Sequence, residues 1–90
     1  MLQKYRKMEQ ADIDKLIALL RERLKTIADT DWRDRDPDGQ LEKLKDVSQA
    51  IFAEHARLKG TLHPRLEHFM SGCSYDKALA FLENASAGSE

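Results

Sequence analysis

Apolar residues return every three or four positions through most of the chain. In the first third Ile13, Leu16, Ile17, Leu20, Leu24 and Ile27 form such a stripe, while Asp14, Lys15, Arg21, Glu22 and Lys25 fall mostly off it. That period marks an amphipathic helix with one face toward a core, and it predicts a helix over 12–29. Tyr5 and Met8 continue the stripe backwards, but Lys4, Arg6 and Lys7 put positive charge near a helix N-terminus, where the dipole disfavours it. Asp12 is therefore the expected N-cap, and residues 1–11 a frayed arm.

The second third carries a cleaner stripe. Leu41, Leu44, Ser48, Ile51, His55, Leu58 and Leu62 alternate at three and four residues, and Val47 and Phe52 widen the face. Asp36 followed by Pro37 fits an N-cap and the first helical position, where the missing proline N–H costs nothing. Gly60 supplies a left-handed stop, so the predicted helix covers 37–59. A connector of roughly eight residues between two long amphipathic helices favours an antiparallel hairpin.

Beyond Gly60 the elements shorten. His63-Pro64 opens a helix through Leu66, Phe69 and Met70 that Gly72 closes, and Ser74 caps another with Tyr75, Ala78, Leu79, Phe81 and Leu82 on its apolar side. Short helices do not stand alone. The expected architecture is all-α: a long antiparallel helical hairpin with two short C-terminal helices packed across it. It forms a single helical domain over 1–84, followed by a flexible tail over 85–90.

Composition and charge narrow this picture further. With 41% hydrophobic and 34% charged residues the chain is expected to fold, but a chain of 90 residues buries only about 60 to 65% of its unfolded surface, which makes self-association attractive. The net charge of −1 supplies no general field for nucleic acid or anionic lipid. The longest uninterrupted apolar run, Leu16 to Leu20, is far short of the roughly 20 residues that span a bilayer. The lone Cys73 has no internal disulfide partner, and no charged-then-apolar leader precedes the first helix; a cytoplasmic location is the expectation.

Four constellations carry residue types with chemical potential. Asp34-Arg35-Asp36-Pro37-Asp38-Gly39 has the opening spacing of a calcium loop, but the twelfth position, which should give a bidentate glutamate, is Lys45. An acidic turn that starts a helix explains the same residues, and no metal or other cofactor is expected. His55, His63, His68 and Cys73 contain zinc-ligand types, yet the steps of five residues from His63 to His68 to Cys73 lie about 140° apart on one helix. Cys73 with His68 and Asp76 has the residue types of an activated thiol but lacks an oxyanion site and a cleft, so the chain is read as no enzyme. The last two helices superficially resemble a helix-turn-helix. The second of them, with Tyr75, Asp76, Lys77, Ala80 and Glu83, offers one cation against two acids, so nucleic-acid binding is not expected.

The favoured function is a non-catalytic helical protein-interaction or regulatory module that pairs as a homodimer. Its expected interface comprises Trp32, Leu44, Val47, Ile51, Phe52, His55 and Leu58, on the seam of the second helix and in the connector before it. The alternatives are a nucleic-acid-associated regulator using Lys4, Arg6, Lys7, Arg21, Arg23 and Lys25, and a divalent-metal switch on Asp34, Asp36 and Asp38.

Overall fold

The structure, a computed structural model, describes residues 8–88. The chain is all-α, and among the described residues there are five helices and no strand: α1 (Gln10–Ala28), α2 (Thr30–Arg35), α3 (Pro37–Arg57), α4 (Pro64–Ser71) and α5 (Tyr75–Gly88). Their starts follow local chemistry. Asp36 is the α3 N-cap, its carboxylate accepting from the Gly39 N–H at 3.1 Å with Pro37 in the first turn. The side chain of His63 caps α4 in the same way, Nδ1 accepting from the Arg65 N–H at 3.0 Å. α1 begins two residues earlier than the sequence suggests. Glu9 is its N-cap without a side-chain bond, and Asp12, in the first turn rather than at the cap, pairs with Arg57 at 2.6 Å.

α1 and α3 run antiparallel. Residues paired across them descend in α3 as they ascend in α1: Asp12 with Arg57, Lys15 with Glu54, Glu22 with Lys43, and the Thr26 carbonyl with Gln40. α1 also packs on α5, which in turn packs on α4. The core gathers Leu16, Ile17 and Leu20 of α1, Val47 and Ile51 of α3, Leu58 and Leu62 of the following turn, Leu66 and Met70 of α4, and Tyr75, Ala78, Leu79 and Leu82 of α5.

Three features depart from the pattern. The connector holds a further helix, α2, started by Asp29, whose carboxylate accepts from the Trp32 N–H at 3.0 Å. The buried face of α3 is rotated toward Gln40, Val47, Ile51 and Glu54, leaving Leu41 and Phe52 of the predicted stripe in solvent. α3 meets α1 along a flank where polar groups can be satisfied, and Gln40 and Glu54 find partners there. Finally, α5 runs on past Asn84 to Gly88; Ala85 and Ala87 are strong helix formers that continue the helix after the apolar pattern ends. Lys4, Arg6 and Lys7, the basic part of the arm, lie outside the described residues.

Candidate functional site

The two ends of the α1–α3 hairpin are built differently. At the end holding the start of α1 and the end of α3, an ionic cluster joins the helices. Glu54 is buried and receives Lys15 at 3.0 Å and the Arg57 guanidinium at 2.8 and 3.2 Å, while Arg57 also reaches Asp12. Hydrogen bonding from Arg57 holds the Glu54 carboxyl below the usual range against the opposing effect of burial, and Arg57 does the same for Asp12. Next to this cluster His55 Nε2 lies 3.0 and 3.1 Å from the two oxygens of Glu67, which also accepts from Ser71 at 2.5 Å. These bonds, that of Ser71 first, lower the Glu67 pKa and tie α4 to α3. An open depression of ≈ 530 Å³ lined by Lys59, Gly60, Leu62, Pro64 and Glu67 lies beside them.

At the opposite end the contents are apolar and uncovered. The Gln40 side chain is buried between the helices and donates to the carbonyls of Thr26 at 2.7 Å and Asp29 at 3.1 Å. It thereby satisfies the C-terminal carbonyls of α1 that a helix end leaves without partners. This link brings the last turns of α1 to the first turns of α3. Leu24 is 49% exposed, Ile27 39% and Leu41 63%; Leu44 is half-buried. α2 packs on α3 here, and its Trp32 is half-buried rather than folded fully into the protein.

The residues expected at an interface thus divide. Val47, Ile51 and Leu58 belong to the intramolecular core and are not on offer to a second chain in this fold. Trp32, Leu44 and His55 are half-buried, and Phe52 is exposed farther along α3. Leu24, Ile27 and Leu41 are the surface residues that sequence reasoning assigned to a covered stripe. Nothing in a helical stripe says how much of its length a third helix will cover.

The acidic residues of the connector are also separated by the fold. Asp34 lies within α2, Asp36 caps α3, and Asp38 is in the first turn of α3. Among the described residues no three His, Cys, Asp or Glu side chains come together as a metal-binding group. Cys73 is exposed. Of the cations that could face nucleic acid, Arg21 is paired with Glu83 at 2.7 Å, and Arg23 lies over the Tyr75 ring. Among the described residues no helix is long and apolar enough to cross a membrane. Comparison with known proteins finds no family model, curated protein or solved structure that matches the chain.

Proposed function

We propose that the protein is a non-catalytic helical interaction module that pairs with a second copy of itself through the open end of the hairpin. The observation that carries this reading is the exposure of Leu24, Ile27 and Leu41, large apolar side chains left in solvent on the last turns of α1 and the first turns of α3. Single exposed leucines need no explanation, whereas several gathered at one end of a small domain do. A standard interface buries roughly 800 Å² per partner, so the patch must recruit its flank, and α2 with the half-buried Trp32 stands beside it. Glu22 and Lys43, paired at 3.1 Å near the same end, are both partly exposed. Charges of both signs on one patch suit a two-fold contact, in which the same surface must complement itself.

Sedimentation equilibrium across micromolar concentrations tests the reading. The expected result is a concentration-dependent dimer that Leu41→Asp dissociates without loss of helicity. A species that stays monomeric over the whole range overturns it.

A further inference from the structure

One flank of α3 is apolar and incompletely covered. Helix α3 packs on α1 and α2, its buried face following Gln40, Val47, Ile51 and Glu54, and α4 reaches it at His55 through Glu67. At about 100° per residue, Leu44, His55, Ser48, Leu41 and Phe52 fall in that order across a strip about 80° wide beside the buried face. No Asp, Glu, Lys or Arg of α3 falls within the strip, and Leu44, His55 and Ser48 are half-buried. Its outer members, Leu41 at 63% and Phe52 at 54%, are the most exposed large apolar side chains among the described residues. They stand 11 residues apart, about three turns, and so on the same side of the helix.

Charge divides the same flank by sign. Asp38, exposed, stands before Leu41; Lys59, also exposed, follows His55; and the exposed Lys45 borders the middle. Acid at a helix start and base at its end suit the helix's own dipole. Laid antiparallel on a second copy, the same arrangement sets each acidic start against a basic end, whereas a parallel pair sets like charges together at both ends, which is costly.

Building on self-pairing at the open end, we propose that the second copy lies along this flank with the two α3 helices antiparallel. Leu41 seats against the partner's Phe52, Ser48 accepts from the partner's Lys45, and Asp38 comes level with the partner's His55, one turn from the partner's Lys59. The two-fold axis passes level with Asp46 and Val47, and every contact occurs twice. Leu41 belongs both to the open end and to the flank, so the contact is continuous and runs for about 16 Å of helix instead of ending at one tip. That length carries the patch toward the roughly 800 Å² per partner of a standard interface.

The test is disulfide cross-linking of Leu41→Cys and Phe52→Cys chains, each in a Cys73→Gly background, mixed in equal amounts and oxidised at a concentration where sedimentation shows dimer. In the antiparallel register positions 41 and 52 of opposite chains face each other. The two copies of position 41 lie about 16 Å apart along the helix, beyond the Cα separation of about 7 Å that a disulfide bridges. Mass spectrometry of the linked peptides should therefore show 41-to-52 links at least about tenfold over links of either variant to itself. Links of each variant to itself, as a parallel pair gives, overturn the orientation, and a dimer with no 41-to-52 link overturns the register; self-pairing survives both. Unmodified protein that stays monomeric at every concentration overturns self-pairing and the proposal together. Where the cysteine chains do not pair, charge reversal decides: Asp38→Lys should weaken the dimer about fivefold, and adding Lys59→Glu should recover most of that loss. No recovery overturns the proposal.

Discussion

One hairpin has two unlike ends. Where α1 begins and α3 finishes, α4 and α5 add a third layer, Leu16, Ile51, Leu66 and Met70 are sealed from solvent, and a buried carboxylate is held by two cations. Where α1 finishes and α3 begins, α2 packs on α3 and Gln40 holds the two long helices together by two hydrogen bonds, while Leu24, Ile27 and Leu41 remain in water. An amphipathic stripe is a capacity for burial. Whether it becomes core, or a face for another molecule, is settled by how far the rest of the chain reaches.

The strongest test of this contrast pairs one substitution from each end. Ile51→Ala should cost about 2–5 kcal/mol, the loss of a buried aliphatic side chain plus the cavity it leaves. Leu41→Ala should fall within about 0.5 kcal/mol in the monomer. Urea midpoints measured at a concentration too low for self-association compare the two, and similar values for both would abolish the distinction. Gln40→Ala is expected to cost about 1–3 kcal/mol, since the carbonyls of Thr26 and Asp29 lose their donor. A value near zero would mean that water replaces the amide and that the open end has no internal clasp.

The ionic cluster should respond to acid. Hydrogen bonds depress the folded-state pKa values of Glu54, Glu67 and Asp12, so the stability they contribute is fully present above the unfolded carboxylate pKa of about 4 and is lost as pH falls through the lower folded values. Glu54→Gln should lower stability at neutral pH by about 1–2 kcal/mol, less than for a fully buried pair because Lys15 and Arg57 can turn into water. It should also flatten part of the acid limb of a pH–stability curve. An unchanged acid limb would remove Glu54 from the account.

A small net effect is expected at Gly39. A Cβ there would collide with the Asp36 carboxylate, so Gly39→Ala should release the cap while gaining helix propensity. The opposing contributions, each about 1 kcal/mol, should leave a net change under about 1 kcal/mol. Asp36→Ala, which loses the cap with nothing gained, should cost about 0.5–2 kcal/mol. If Gly39→Ala proves the more damaging of the two, the carboxylate cannot swing aside and the start of α3 is stiffer than its exposed position suggests.

What was legible in the sequence tracks the distance over which each device acts. Asp36-Pro37 and His63-Pro64 close their bonds within three residues, and both helix starts lie where those residues indicate. α2 left a signal of the same kind, Asp29 three positions before Trp32, obscured by the aspartates and arginines that follow. The rotation of α3 was not legible: it depends on Glu54 and Gln40, polar residues that read as surface until Lys15, Arg57 and the end of α1 are seen beside them. The apolar patch was hidden for the opposite reason, since Leu24, Ile27 and Leu41 look like core residues in any helical pattern. Gly72 concealed the turn at Cys73, which takes the left-handed position itself with φ 57°, because a glycine beside a cysteine is the natural choice for that position and the chain does not use it there.

That turn has an evolutionary consequence. Cysteine and glycine codons differ by one nucleotide, and glycine would relieve the left-handed backbone at residue 73. A mutational scan scored for folding alone should therefore enrich Cys73→Gly, and selection that acted only on stability would have an easy route to discarding the thiol.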